Sequence, residues 1–178
     1  MFLGAAFSFW EDLMRRYIHD VALFAGGGIA VLFFMNPTHA QDDRLTGIRI
    51  NHVGIFAKDW DETINFYTKT LGFKEAFTFK DKDGNVTTSY IQMNKDNFLE
   101  IARATPERPA GLNHVGIWVD DIKATVAALR KRGVKVDDPR AGNSRAPLTN
   151  VTDPNGVRIE LLEFTPESLQ RKAIDSWK

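Results

Sequence analysis

From residue 48 onward the chain alternates short apolar runs with helical stripes, and the same order of runs occurs twice. Residues 48–57 and 112–119 are rich in β-branched and aromatic side chains, which predicts a strand in each. A helix is predicted after each strand. In the first, Asp59 stands as N-cap with Glu62 three residues on, Trp60, Ile64, Tyr67 and Leu71 form one apolar stripe, and Gly72 ends it. In the second, Asp120 or Asp121 caps, Ile122, Val126 and Leu129 make the stripe, and Gly133 stops it. Three more strands complete each copy: 73–80, 86–93 and 98–102 in the first, and 134–136, 148–151 and 157–164 in the second. Asp83-Gly84 and Asp153-Pro154-Asn155-Gly156 supply turns. Residues 141–146 read as a polar, substrate-facing loop, and 166–177 as a C-terminal helix with Leu169, Ala173 and Trp177 on one side.

The duplication is explicit at residues 51–55 and 113–117. Both read Asn-His-Val-Gly-Ile, 62 residues apart, and each is followed by an aromatic, Phe56 or Trp118. That period exceeds a solenoid unit and suits a repeated half-domain. The expected class is α+β, with tandem βαβββ modules at 48–104 and 111–164 and a helical tail at 165–178.

The first forty residues carry a different pattern. Residues 21–35 form an uncharged apolar run, preceded by Arg15 and Arg16 and followed by Asn36-Pro37-Thr38-His39-Ala40. This is the anatomy of a signal peptide over 1–40, cleaved after Ala40, and it implies a periplasmic or secreted protein. The run falls short of the about 20 apolar residues of a spanning helix and contains three consecutive glycines. Membrane contact is thus expected only through this leader, were it to stay uncleaved as an anchor. Glu11 and Asp12 do not suit a positive n-region, which makes Met14 a cleaner start than Met1.

Composition narrows the chemistry. At 43% hydrophobic and 26% charged residues the chain is globular in type. Lys+Arg and Asp+Glu both number 23, with no basic stripe, so nucleic acid is not an expected partner and a small molecule is. Cys is absent, which removes disulfides, thiolate nucleophiles and cysteine-based zinc sites. Any metal must be held by His and carboxylates.

Only two His residues, His52 and His114, lie beyond the leader, and they occupy the same place in the two copies. The last strand of each module carries a carboxylate among apolar neighbours, Glu100 in Phe98-Leu99-Glu100-Ile101 and Glu160 in Ile159-Glu160-Leu161-Leu162. An ionised carboxylate in such a run is expensive to bury unless it is paired or bound to a cation. Two imidazoles and two carboxylates in matched positions therefore point to one divalent ion, with positions left open in an octahedral shell. These N and O donors do not choose among nickel, cobalt, manganese, iron and zinc. Phe56, Trp118, Ser144 and Arg145 are candidate substrate contacts.

The segments NHVGIFAKDWDETINFYTKTLGF, NHVGIWVDDI and DPNGVRIELLE resemble the vicinal-oxygen-chelate superfamily, which includes glyoxalases, bleomycin-resistance proteins and dioxygenases. The resemblance spans about residues 48–164. It implies a cupped, mixed eight-stranded sheet around the metal and a homodimer. The His/Glu/His/Glu set is most similar to glyoxalase I, a lyase or isomerase that moves a proton through a metal-stabilised enediolate, with Glu160 or Glu100 as base. On the resemblance Glu160 is favoured. Positions that serve glutathione in bacterial glyoxalases are here Phe56 and Ala104. Alternatives are a methylmalonyl-CoA epimerase-like enzyme, an iron oxygenase using His52, His114 and one Glu as a facial triad, and a non-catalytic binder of a small ligand.

Overall fold

The computed structural model describes residues 45 and 47–178. The expected signal peptide at 1–40, and its alternative as a membrane anchor, lie outside the described residues. Among the described residues no helix is long and apolar enough to cross a membrane.

The first module runs β1 (Arg49–Ala57), α1 (Trp60–Asn65), β2 (Lys74–Lys80), β3 (Val86–Gln92) and β4 (Phe98–Arg103). The second runs β5 (Gly111–Trp118), α2 (Ile122–Lys131), β6 (Arg140–Ala141), β7 (Pro147–Thr152) and β8 (Arg158–Leu162), and α3 (Leu169–Asp175) follows. The eight strands form one mixed sheet in the order β2-β3-β4-β1-β5-β8-β7-β6. Each half repeats the same pairing: β1 lies parallel to β4 as β5 does to β8, and the two opening strands meet antiparallel at the centre. The order is the same read from either edge, the topology of two βαβββ modules joined about a pseudo-dyad.

Period-two alternation sorts the strand residues onto two faces. Val53, Ile55, Leu99 and Ile101 pack with Trp60 and Ile64 of α1 and with Tyr67 just beyond its end, and Ile117, Ile159 and Leu161 pack with Ile122 and Leu129 of α2. The opposite face carries Tyr90, Phe98, Leu148, Leu162 and Phe164, joined by Ala173 and Ile174 of α3. His52, Glu100, His114 and Glu160 share the parity of this second face.

The helix starts follow their caps. Asp59 accepts from the Glu62 amide at 2.9 Å and Asp121, rather than Asp120, from the Ala124 amide at 2.9 Å. Three local expectations change. The stripe of the first helix stops short of Leu71, because Phe66–Thr70 winds as a π-turn. The Leu71 amide reaches back to the Phe66 carbonyl at 2.9 Å, and this wider turn swings Leu71 out to 45% exposure. Residues 134–136 are not a strand. Arg130 donates to the Val136 carbonyl at 2.9 Å, occupying that acceptor, and the sixth strand begins only after Pro139, at Arg140. The C-terminal helix is shorter than 166–177, since Ser168 caps it and Trp177 lies beyond its end.

Candidate metal centre and active-site cleft

The central β1–β5 pair brings the two imidazoles together, and a glycine makes room for each. His52 lies opposite Gly116 and His114 opposite Gly54. A Cβ on Gly116 would stand 2.0 Å from the His52 ring, and one on Gly54 2.2 Å from the His114 ring. The repeated Asn-His-Val-Gly-Ile is thus a reciprocal device: each copy supplies a ring and the space for the other copy's ring. The carboxylates arrive by the parallel pairings, Glu100 beside Gly54 and Glu160 beside Gly116.

The four side chains predicted as ligands converge, with one ligand atom from each lying within 4.8 Å of all the others. The Nε2 atoms of His52 and His114 are 2.8 Å apart. Glu100 Oε2 lies 3.5 Å from His52 Nε2 and 3.3 Å from His114 Nε2, and Glu160 Oε1 lies 3.8 Å from His52 Nε2. Adjacent donors about 2.1 Å from an octahedral ion stand about 3 Å apart. The donor set and its spacings therefore fit one divalent cation.

Donor accounting assigns the ring protons. His52 Nδ1 faces Asn51 Oδ1 at 3.2 Å, an acceptor, so its proton sits on Nδ1 and its Nε2 lone pair points into the site. Asn51 is fully buried and anchored by its own donation to the Asp96 carbonyl at 2.6 Å. His114 differs. Its Nδ1 is 2.8 Å from Arg158 Nη2, which can only donate, so a neutral ring carries its proton on Nε2, where His52 Nε2 at 2.8 Å and Glu100 Oε2 at 3.3 Å share it as acceptors.

The carboxylates differ too. The Tyr90 hydroxyl donates to Glu100 Oε2 at 2.7 Å. Asn150 holds the equivalent register opposite Glu160 as Tyr90 does opposite Glu100, yet its side-chain oxygen accepts from Arg158 instead. Among the described residues Glu160 accepts no hydrogen bond; its nearest cation is Arg158, with Nη1 3.7 Å from Oε2.

Electrostatics follow this geometry. Burial lowers the His52 pKa to about 4, with His114 and Arg158 adding to the effect and Glu100 opposing it. Burial pushes the Glu100 carboxyl up, but the His114 hydrogen bond, the two imidazoles and Tyr90 outweigh it and leave Glu100 below its ordinary value. Burial raises Glu160, with Glu100 adding and His114, Arg158 and Arg140 opposing. Tyr90 is raised well above a free phenol by burial and by the Glu100 charge.

A cleft of about 140 Å³ opens on Glu100 and Glu160, lined by Phe79 and Tyr90 of the first module and by Arg140, Asn143, Ser144 and Leu148 of the second. The 141–146 loop does face it, through Gly142, Asn143 and Ser144. Phe56, Trp118 and Arg145 are not among its lining residues. Phe56 has the Arg108 guanidinium 5.4 Å from its ring centre. Trp118 packs on Phe164 with centroids 4.8 Å apart, and Arg145 is exposed at a positive φ of 66° in the β6–β7 hairpin. Sequence reasoning missed Tyr90, Asn51, Arg158 and Arg140. The repeated Asn before each His was a visible signal for Asn51, whereas the other three owe their places to strand register.

Two βαβββ modules meet in one mixed sheet, with a His/Glu/His/Glu group that could hold a metal ion at their junction. Residues 51–149 match the family model described as the Glyoxalase/Bleomycin resistance protein/Dioxygenase superfamily, more than half of the chain. The chain belongs to that superfamily. It is 29% identical over 176 residues to a chloroplast protein of Arabidopsis thaliana described as a probable lactoylglutathione lyase, covering 89% of this chain and 48%, about half, of that one. It is 28% identical over 126 residues to the lactoylglutathione lyase of Haemophilus influenzae, covering 65% of this chain and 93% of that one. Among solved structures, a variant of Streptomyces coelicolor methylmalonyl-CoA epimerase in complex with 2-nitronate-propionyl-CoA aligns with TM-score 0.57 at 27% identity, covering 67% of this chain and 96% of that one.

Proposed function

We propose that the protein is an exported, metal-dependent enzyme that moves a proton between adjacent carbons of a small oxygenated substrate, glyoxalase I-like in chemistry, with Glu160 as the base. The observation that carries this reading is the asymmetry between the two carboxylates of the cluster. Glu100 is fixed by Tyr90 and held low, a carboxylate suited to staying a ligand. Glu160 lacks such a clamp and is raised by burial, which strengthens it as a proton acceptor. A divalent ion held by His52, His114, Glu100 and Glu160 would polarise vicinal oxygens and acidify the intervening C–H bond. Asn51 presents the His52 lone pair to the site, and Phe79, Tyr90 and Leu148 supply the apolar part of the cleft lining.

An epimerase reading shares the base and the metal and is supported by the likeness to the Streptomyces enzyme. The two readings part on outcome: epimerisation returns the proton to the same carbon on the opposite face. Export rests on the pattern of residues 1–40, and N-terminal sequencing of the secreted form is expected to begin at Gln41. A homodimer is proposed from family resemblance and is checked by light scattering.

The direct test is C–H/D exchange in D2O, followed by NMR, on thiol adducts of 2-oxoaldehydes and on 2-oxo acids. Metal-loaded protein should exchange a proton next to a carbonyl. Glu160→Gln should slow this by about 100-fold or more while remaining folded and metal-loaded. Full activity in that variant would remove Glu160 as base, and exchange unaffected by chelation would remove the metal from the reaction.

A further inference from the structure

We propose that Arg140 is a specificity-determining residue that receives a carboxylate, so that the cleft takes small anionic 2-hydroxy or 2-oxo acids. This deepens the metal-centre reading above and rests on it. Two arginines stand at the site. Arg158 is committed, donating to Asn113 at 3.1 Å, to Asn150 at 3.3 Å and to His114 at 2.8 Å. Arg140 is not. It lines the cleft from β6, and among the described residues its guanidinium has no hydrogen bond or ion pair.

Charge and size agree on the kind of ligand. Glu100 and Glu160 would balance one divalent ion, and Arg158 lies behind the lining, committed to Asn113, Asn150, His114 and Glu160, which leaves Arg140 as the cation that faces the cleft. A positive charge facing the cleft favours an anion. A planar guanidinium matches a carboxylate through two parallel N–H donors. At about 140 Å³ the cavity is well under the roughly 300 Å³ at which sites begin to enclose drug-sized ligands. A compact acid with oxygens on neighbouring carbons fits it, whereas most of a bulky thioester or tripeptide conjugate would lie outside. Asn143 and Ser144, on the same hairpin as Arg140, supply neutral polar groups alongside.

The test compares lactate with hydroxyacetone, which offers vicinal oxygens without a charge. Binding to the cobalt(II)-loaded full-length protein is read by calorimetry and by the visible cobalt spectrum. Wild type should bind lactate at least tenfold more tightly than hydroxyacetone. Arg140→Gln should reduce that preference at least fivefold, the remainder being the cation's own preference for the anionic chelator, with metal content and melting temperature unchanged, and Arg140→Lys should restore part of it. Equal affinities in wild type, or an unchanged lactate preference in Arg140→Gln, would overturn the proposal while leaving the metal centre standing. Less than one ion per chain in wild type would instead overturn the metal-centre reading, and this inference with it.

Discussion

At the scale of single residues, the centre is less symmetric than its repeated motif. His52 and His114 are equivalent in sequence, yet Asn51 accepts a hydrogen bond from one ring and Arg158 donates one to the other. Two facing Nε2 atoms 2.8 Å apart require one donor and one acceptor, and this pairing provides them. Ligation through Nε2 requires both rings to carry the proton on Nδ1. In nitrogen-15 NMR of the metal-free protein, His52 is expected as the Nδ1–H tautomer and His114 as the Nε2–H tautomer. On titration with zinc, His114 should convert to Nδ1–H, with Arg158 withdrawing and Asn113 left as the acceptor. A His114 tautomer that zinc does not change would contradict this assignment.

At the scale of elements, much of the architecture was legible because its signals are local. The caps at Asp59 and Asp121, the β-branched runs and the apolar stripes each act within a few residues. Tyr90, Arg158 and Arg140 were not, since nothing near them in the chain announces the partner that strand register delivers. The short β6 and the π-turn escaped for a related reason: one depends on a side chain capturing a carbonyl, the other on a shifted backbone bond. The two motif glycines mix both cases, present twice in the sequence but explained only by the antiparallel β1–β5 pairing. Gly54→Ala and Gly116→Ala should each push an imidazole from its place. Each is expected to destabilise the fold by about 1–3 kcal/mol and to weaken metal binding, as urea unfolding and metal titration would show. A stable variant with unchanged metal affinity would break the link between these glycines and the site.

At the scale of the whole molecule, gathering four ionisable groups under a sheet has a cost in the absence of metal. His52 is held neutral in the fold, with its pKa lowered to about 4 against 6.5 in the unfolded chain. Between those values the unfolded state binds the extra proton, so stability falls as pH drops from about 6.5 toward 4. This group alone accounts for about 3 kcal/mol. Glu160 acts in the opposite direction: its raised pKa favours the fold in acid and weakens it as pH rises above the ordinary carboxylate value. Urea unfolding of the metal-free protein from pH 7.5 to 4.5 should show the acid loss, and His52→Asn should flatten it. A divalent ion reverses the charge balance and should raise stability near neutrality, an increment that disappears in acid as the ligands take up protons.

The central claim is that one cation is shared by His52, Glu100, His114 and Glu160. Elemental analysis of the purified full-length protein and of its His52→Ala and His114→Ala variants tests it most directly. The account predicts one divalent ion per chain in wild type and far less than one in each variant, with circular dichroism unchanged. Equal metal content in all three proteins, or a folded wild type that takes up none when offered nickel, cobalt, manganese, iron and zinc in turn, would contradict it.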